Sequence, residues 1–221
     1  MCADYVHKHV VRKVRFNPSG TKLATGGQEK LLRLYDCRAG NDQPLLTSSP
    51  FEGSIHSIFW TSDDVVHACC DNGDTYALDC RVGPASVSKV EGVRDVKFAE
   101  RILNSPNTIV ASSSSVSILD ARVNQLRHIA LPNVSVGKIF CACLHPTQPD
   151  ILCVGGEDTC ISIIDMSDSS EIATWRGHHG PIHACSFSPD AGHLATGSED
   201  GTIRLWDYES ERAKDKEHSD A

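Results

Sequence analysis

Residues 177–207 read GHHGPIHACSFSPDAGHLATGSEDGTIRLWD, and this stretch decides the fold. It contains three short runs rich in apolar and β-branched residues, IHACSF, HLATGS and TIRLW. Pro, Asp and Gly separate the runs, and these are residues that tight turns between strands favour. The stretch therefore predicts an antiparallel sheet of short strands, without a helix.

The same pattern recurs along the chain. Residues 7–36 read HKHVVRKVRFNPSGTKLATGGQEKLLRLYD, and both copies place a β-branched residue five positions before a Phe. Weaker copies lie between them, and five units align on the residues Phe16, Trp60, Phe98, Leu144 and Phe187. These positions lie 44, 38, 46 and 43 residues apart. The spacing resembles that of WD repeats, whose period is about 40–45 residues.

The chain is therefore predicted to be all-β, with about five four-stranded blades of a WD-repeat β-propeller. The predicted units are residues 7–47, 48–90, 91–130, 134–175 and 177–207, within a domain of residues 1–208. Five blades could close on themselves, but blades are shaped for one ring size. An incomplete (open) or truncated seven-bladed ring is therefore favoured. Residues 209–221 hold five acidic and three basic side chains and are expected to form a charged, disordered tail.

Four residues of the last unit are of types that occur together in WD repeats: His178, Ser198, Asp200 and Trp206. A buried indole N–H needs an acceptor, and a hydroxyl or a neutral imidazole can both accept and donate. We therefore expect a buried hydrogen-bonded chain from the indole through the hydroxyl and the imidazole to the carboxylate.

The other units keep less of this set. The first unit has His7, Gly27, Glu29 and Tyr35 at the positions that we align with it, so no hydroxyl is expected there. The second, third and fourth units lack the Trp as well. These blades are expected to depend on apolar packing.

The His, Ser and Asp residues of the last unit could instead form a catalytic triad. A triad needs a cleft with an oxyanion hole, and no motif for one is present in the sequence. The repeat explains each of the three residues structurally. The chain is therefore predicted not to be an enzyme and to use no cofactor or metal.

Several stretches make the resemblance more specific. The stretches VHKHVV, TGGQEKLLRLYD, VGGEDTCIS, RGHHGPIHACSFSPD and GSEDGTIRLWD resemble the family of serine/threonine kinase receptor-associated proteins, also called Unr-interacting proteins. The resemblance runs from about Val6 to Asp207 and implies that the first two repeats of a seven-bladed protein are absent. A translation-initiation-factor subunit of the same superfamily shares similar GH-x-GPI and GGEDG features and is the alternative.

This resemblance implies a non-catalytic scaffold. Members of the family associate with the survival-of-motor-neuron complex, which assembles spliceosomal small ribonucleoproteins for mRNA splicing. They are also linked to receptor serine/threonine kinase signalling. The expected partners are therefore other proteins of a multiprotein complex, without a small-molecule substrate.

Composition limits the partners and the compartment. The 221 residues carry a formal net charge of −8, whereas binding to a phosphate backbone needs clustered Lys and Arg, so direct nucleic acid binding is not expected. The sequence has neither a signal-peptide core nor an apolar run long enough to span a membrane. We expect no membrane insertion and a location in the cytoplasm, with access to the nucleus.

The ten cysteines and eleven histidines make a His/Cys metal-binding protein the alternative of a different class. His178, His179 and His183 cluster in the sequence, but the intervening Pro181 excludes a helix that would present them on one face. Cys141 and Cys143 point the same way on a strand, which favours a packed core.

Propellers usually bind partners at the face where the tight turns and the loops leading into each blade emerge. Seven residues next to these turns and loops are candidates for a partner surface: Arg12, Gln28, His56, Arg94, Glu157, His183 and Glu199. An ordinary solvated rim is the alternative interpretation of each one.

Overall fold

The computed structural model describes residues 7–39, 43–102, 105, 107–120, 122–123, 125–131 and 137–219. These residues form five sheets, one terminal helix and one short 3-10 helix, which confirms the predicted all-β class. The chain forms two compact units, and the boundary between them falls within the third sheet. We refer to the sheets as blades one to five.

The first unit contains two complete blades, in which the strands follow one another in chain order. Blade one consists of β1 (Val11–Phe16), β2 (Lys22–Gly27), β3 (Arg33–Asp36) and β4 (Leu46–Thr47). Blade two consists of β5 (Ile55–Trp60), β6 (Val65–Cys70), β7 (Thr75–Asp79) and β8 (Ser88–Lys89), with the 3-10 helix Pro84–Ser86 before β8. The unit also contains β9 (Val96–Arg101), the first strand of blade three.

The second unit contains most of blade three and all of the last two blades. The remaining strands of blade three are β10 (Thr108–Ser112), β11 (Ser115–Leu119) and β12 (Gln125–Ala130). Blade four consists of β13 (Ile139–Leu144), β14 (Ile151–Gly156), β15 (Cys160–Asp165) and β16 (Ser170–Arg176). Blade five has only three strands, β17 (Ile182–Phe187), β18 (His193–Ser198) and β19 (Ile203–Asp207), and α1 (Tyr208–Ser219) follows.

The turn between β1 and β2 shows why the strands end where they do. Asn17 is buried, and its side-chain oxygen accepts a hydrogen bond of 2.9 Å from the backbone N–H of Lys22. Gly20 has a φ of 69°, a left-handed conformation that glycine adopts without steric cost. A short polar side chain and a glycine therefore reverse the chain within five residues.

The core of the first unit lies between blades one and two. Apolar side chains from one face of blade one pack against the first two strands of blade two, and nearly all of them are buried: Ala24, Leu32, Leu34, Leu46, Ile55, Ile58, Trp60, Val66 and Ala68. Most of these side chains are spaced by two residues within their strand, because successive residues of a strand point to opposite faces.

Glycines in the second strand allow the blades to approach closely. A Cβ added to Gly26 would lie 2.8 Å from the Cγ2 methyl of Ile55, the first residue of blade two. In the second unit, a Cβ on Gly155 would lie 2.8 Å from Cγ2 of Ile182, the first residue of blade five. The LATGG and CVGG motifs therefore have glycine where the β-branched residue of the next blade packs.

Helix α1 corrects, for residues 209–219, the prediction of a disordered tail at residues 209–221; residues 220 and 221 lie outside the described part of the chain. The backbone N–H of Ser210 donates to the Asp207 carboxylate at 2.9 Å, which caps the first turn. Tyr208 is fully buried, and its ring packs 5.7 Å from that of Trp175 and 5.4 Å from that of Phe187. A charge count could not show this anchor, because it depends on one aromatic residue at the start of the segment. No helix within the described part of the chain is long and apolar enough to cross a membrane.

His67 is a buried histidine in blade two. Its ring stacks on that of Phe59, with 4.6 Å between centroids and 5° between planes, and its side chain is 1% exposed. Burial lowers the pKa of His67 to about 4, because the charged imidazolium would lose its hydration. The folded chain therefore keeps this ring neutral where the unfolded chain would protonate it.

Gly155→Ala should lower the free energy of unfolding by about 1–3 kcal/mol, because the added methyl overpacks the contact with Ile182. Gly197, the equivalent residue of blade five, is the matched control, because its added Cβ would meet only the Cβ of Ala184 at 3.9 Å. Gly197→Ala should leave the stability unchanged or raise it slightly. Urea unfolding, monitored by tryptophan fluorescence, measures the free energy of unfolding of both variants. Equal losses for the two would contradict the packing described.

His67→Phe should weaken the acid sensitivity of the fold. Below the unfolded pKa of about 6.5 and above the folded value of about 4, only the unfolded chain binds the proton, so stability falls as pH falls. Between about pH 7 and pH 5, protonation of His67 in the unfolded chain lowers the free energy of unfolding by roughly 2 kcal/mol. His67→Phe should not show this loss. Urea unfolding at the two pH values measures it. His193→Phe, at an exposed position, should keep the wild-type pH dependence, and an unchanged dependence in His67→Phe would refute the assignment.

Candidate interaction surface and the buried polar network

A chain of hydrogen bonds runs through blade five. The Trp206 indole N–H donates to the Thr196 hydroxyl at 2.9 Å, and that hydroxyl lies 2.8 Å from His178 Nε2. His178 Nδ1 lies 3.0 Å from the Asp200 carboxylate. Because a carboxylate only accepts, Nδ1 carries the proton, and Nε2 accepts from Thr196. The chain therefore ties the loop before the blade to its second and third strands.

The structure corrects one member of the predicted network. Ser198 does not join the indole to the imidazole; its hydroxyl donates to the Gly180 carbonyl at 2.8 Å and accepts from the Asp200 N–H at 3.2 Å. Thr196 takes the predicted place. Both residues point to the same face of β18, since they are two positions apart, and only Thr196 lies within reach of Trp206.

Asp200 is held by more donors than the sequence indicated. The Thr202 hydroxyl donates to it at 2.6 Å, and the His179 backbone N–H donates at 2.8 Å. These bonds, with smaller contributions from the Thr202 N–H and His178, keep the pKa of Asp200 well below its usual value. The carboxylate therefore stays ionised as the acceptor that ends the chain.

Blade one has its own version of this network, contrary to the expectation that it lacks the hydroxyl. Thr25 occupies the position equivalent to Thr196, and its hydroxyl lies 3.0 Å from His7 Nε2. Arg33 donates to His7 Nδ1 and forms an ion pair with Glu29. Since a guanidinium only donates, His7 Nδ1 accepts here and Nε2–H donates to Thr25, the reverse of blade five. Burial, followed by the charge of Arg33, lowers the pKa of His7.

Blades two and four replace the hydroxyl by apolar side chains. The equivalent residues are Ala68 and Val154, which are both fully buried. His178 and Thr196 of the blade-five network are likewise buried, at 3% and 2% exposure. Because Thr196 is bonded on both sides within the core, this arrangement supports the blade.

A β-bulge opens the first strand of four blades. The pairing of the first and second strands shifts by one residue at the same place in blades one, two, four and five, where the extra residues are Arg12, His56, Phe140 and His183. Bulges redirect a side chain and are frequent beside functional sites. Three of these residues are sequence candidates. Phe140 is not among the sequence candidates, although it follows Ile139 as His183 follows Ile182.

In each of these four blades, the turn after the second strand lies at the same end as the bulge. A backbone N–H of the turn donates to a carbonyl just before the first strand, at distances of 2.8 to 3.0 Å, in the pairs Gln28–Val10, Asp71–Ser54, Glu157–Lys138 and Glu199–Pro181. The bulge residue and the turn residue of a blade are thereby brought together. This repeated bond places Gln28, Glu157 and Glu199 beside the bulges, each with an exposed side chain.

The second unit has aromatic and acidic groups at this end. The Phe140 and His183 rings stack, with 5.2 Å between centroids and 6° between planes. His183 Nε2 lies 3.4 Å from the Glu199 carboxylate, and both side chains are more than half exposed. Glu157 forms a 3.5 Å ion pair with Lys138. We call Phe140, Glu157, His183 and Glu199 the bulge surface of the second unit.

The first unit has more basic groups at the corresponding end. Arg12 is exposed, whereas burial and then the charge of Lys97 lower the pKa of the half-buried His56. Arg94 precedes β9 and donates to the buried Asp74 carboxylate at 3.1 Å, with 66% of its own side chain exposed. We call Arg12, Gln28, His56 and Arg94 the bulge surface of the first unit.

Three thiols form a cluster in the core of the second unit. The Sγ atoms of Cys143, Cys153 and Cys185 lie within 4.8 Å of one another. Burial raises the pKa of Cys143 and Cys153 well above the usual value of a thiol. The cluster packs as small apolar side chains between blades four and five. His178 is buried in the network, whereas His183 is more than half exposed.

Comparison with known proteins supports this description. The family described as WD domain, G-beta repeat matches residues 4–36 and 169–207. The serine-threonine kinase receptor-associated protein of Dictyostelium discoideum is 32% identical over 90% of this chain and 67% of its own length. The proteins of that name from Gallus gallus and Homo sapiens are 33% and 32% identical over 90% of this chain and 55% of theirs. Eukaryotic translation initiation factor 3 subunit I of Nematostella vectensis is 22% identical over 91% of this chain and 68% of its own length.

Repeated antiparallel blades and the buried Trp–Thr–His–Asp chain define a WD-repeat β-propeller protein. Within that class, the chain belongs to the family of serine-threonine kinase receptor-associated proteins. It spans little more than half the length of its vertebrate relatives, with 55% of those proteins covered.

Thr196→Val should destabilise the second unit while preserving its volume. The change leaves the Trp206 N–H and His178 Nε2 without partners, at about 1–3 kcal/mol for each orphaned group. Ser186→Ala, at an exposed position of the neighbouring strand, should change stability by less than about 0.5 kcal/mol. Thermal unfolding with tryptophan fluorescence compares the two, and an unchanged melting temperature for Thr196→Val would contradict the network.

Proposed function

We propose that this chain is a non-catalytic scaffold that binds other proteins during assembly of spliceosomal small ribonucleoproteins. In this proposal it acts in mRNA splicing as part of the survival-of-motor-neuron complex. Its location is the cytoplasm, with access to the nucleus. A second role, in signalling by receptor serine/threonine kinases, is proposed from the name of its relatives.

The observation that carries the scaffold proposal is the repeated bulge. Four blades use the same backbone device to place a side chain beside a tight turn, yet the side chains differ: Arg12, His56, Phe140 and His183. A backbone arrangement that is repeated from blade to blade with different side chains suits recognition of different protein segments. The aromatic stack of Phe140 and His183 supplies rigid contact area of the kind that binding surfaces use.

The similarity to a translation initiation factor 3 subunit supports a second candidate, a scaffold in translation initiation. That relative is 22% identical, compared with 32–33% for the receptor-associated proteins, so the first proposal is favoured. Both candidates share the bulge surfaces as the binding region. They differ in the proteins that should be recovered with the chain.

Glu157→Lys combined with Glu199→Lys should remove partners bound at the second unit. The two changes reverse the charge around the partly exposed Phe140–His183 stack without touching the core. Affinity purification of the tagged chain from cell extract, followed by mass spectrometry, measures the loss. We expect ribonucleoprotein-assembly proteins with the wild type, and at least a tenfold reduction with the double variant.

Asp150→Lys is the matched control. Asp150 and Glu157 flank β14 at opposite ends, and each is about half exposed with one surface ion pair, to Arg127 and Lys138 respectively. The control should retain the full set of partners. Equal recovery with both variants would contradict the bulge surface as the binding region, and recovery of translation-initiation subunits instead would favour the second candidate.

A further inference from the structure

Three cysteine side chains from two blades converge within the second unit. Cys143 lies in β13, Cys153 lies in β14, and Cys185 lies in β17, the first strand of blade five. All three belong to the same compact unit, and Cys143 and Cys153 are paired directly across the two strands of blade four. Their Sγ atoms and that of Cys185 lie within 4.8 Å of one another. The fold therefore brings three sulfur atoms from three strands to one place.

The repeat does not require cysteine at these positions. The strand registers show that blade five has Ala195 where blade four has Cys153, and that blade four has Ala142 where blade five has Cys185. In the equivalent contact between blades one and two, the three places hold Arg15, Ala24 and Ile58. The meeting of three sulfur atoms is therefore a property of blades four and five, and blade packing can be achieved without it.

The thiol cluster is largely enclosed. Cys153 and Cys185 are 0% and 5% exposed, and Cys143 is partly exposed. Protonated thiols pack in such a place as small apolar side chains. The same sulfur atoms are ligands of soft metal ions, because direct coordination to an ion deprotonates a thiol. An ion would reach the cluster from the side of Cys143.

The number and kind of the donors select the ion. Sulfur ligands favour Cu(I), Zn(II) and iron–sulfur clusters, but structural zinc sites are almost always tetrahedral, and iron–sulfur clusters usually take four cysteines. In the described part of the chain, the group offers three ligand atoms. Cys141 lies beside Cys185, but its thiol donates to the carbonyls of Gly155 and Ile182 at 3.8 and 3.7 Å. Three sulfur donors suit Cu(I), which accepts trigonal coordination.

The spacing of the three sulfur atoms fits such an ion. With metal–sulfur bonds of about 2.3 Å, three sulfur atoms in a trigonal plane around an ion lie about 4 Å apart. Because the Sγ atoms already lie within 4.8 Å of one another, they need to approach by less than about 1 Å. The two blades therefore hold the donors close to a ligating arrangement.

We propose that Cys143, Cys153 and Cys185 form a binding site for one Cu(I) ion. The ligating thiols lose their protons to solvent as the ion binds, and the copper keeps its oxidation state. This proposal departs from the expectation, drawn from the sequence, that the chain uses no metal. An ion held by all three sulfur atoms joins β13 and β14 of blade four to β17 of blade five.

Titration of the purified chain with Cu(I), without oxygen and with a reductant that is not a thiol, tests the site. A competing Cu(I) chelator, bicinchoninate, removes copper held by single thiols such as that of the exposed Cys37. The wild type should retain one ion per chain, and its X-ray absorption spectrum should show three sulfur ligands. Cys153→Ala and Cys185→Ala should each weaken Cu(I) binding by at least about 100-fold, more than the loss of an outer-shell partner usually costs.

Cys160→Ala is the matched control. Cys160 is 1% exposed in β15 of blade four and is not a member of the thiol cluster. This variant should bind Cu(I) as the wild type does. Circular dichroism shows that each variant is folded, which we expect because Ala195 and Ala142 already occupy the positions of Cys153 and Cys185 in the other blade.

Four outcomes would overturn the proposal. The chelator would remove copper from the wild type as easily as from Cys153→Ala. The control, Cys160→Ala, would lose as much affinity as the cluster variants. The absorption spectrum would show two sulfur ligands. Finally, the wild type would retain Zn(II) in preference to Cu(I), with four sulfur ligands, which would make Cys141 the fourth ligand of a zinc site.

Discussion

The structure depends on a contact between consecutive blades, in which a β-branched side chain packs over a backbone position that lacks a side chain. The contact is present in both compact units, as Ile55 over Gly26 and as Ile182 over Gly155. Any Cβ at these glycines would overlap the methyl, so the distance between the blades is set by glycine. Apolar residues on the following strands are then buried around the contact.

The polar networks act within blades. In blade five the chain from Trp206 to Asp200 fixes the loop that precedes the first strand, and in blade one Thr25, His7, Glu29 and Arg33 do the same with the proton on the other imidazole nitrogen. The same blade backbone therefore accommodates hydrogen-bond chains that run in opposite directions through the imidazole. Blades two and four have an apolar residue at the threonine position, and in blade two the Asp71 carboxylate accepts a hydrogen bond from the backbone N–H of Ser54, just before the first strand.

The sequence predicted the sheets well because strand runs, turns and a regular spacing are local signals. It misassigned the hydroxyl of the network because Thr196 and Ser198 lie on the same face of β18, and only the pairing with β19 shows which one meets Trp206. The helix was missed for a related reason, since Asp207 as its cap and Tyr208 as its anchor act through three-dimensional contacts. The bulge residues were largely found, because their spacing from a β-branched residue is visible in the repeat.

A double-mutant cycle between Gly155 and Ile182 tests the blade contact most directly. Free energies of unfolding are measured in urea for Gly155→Ala, Ile182→Ala and the pair. Because Ile182→Ala removes the methyl that an alanine at Gly155 would meet, the double variant should be more stable than the sum of the single losses predicts, by at least about 1 kcal/mol. Additivity within about 0.5 kcal/mol would show that the two positions act independently and would contradict the account.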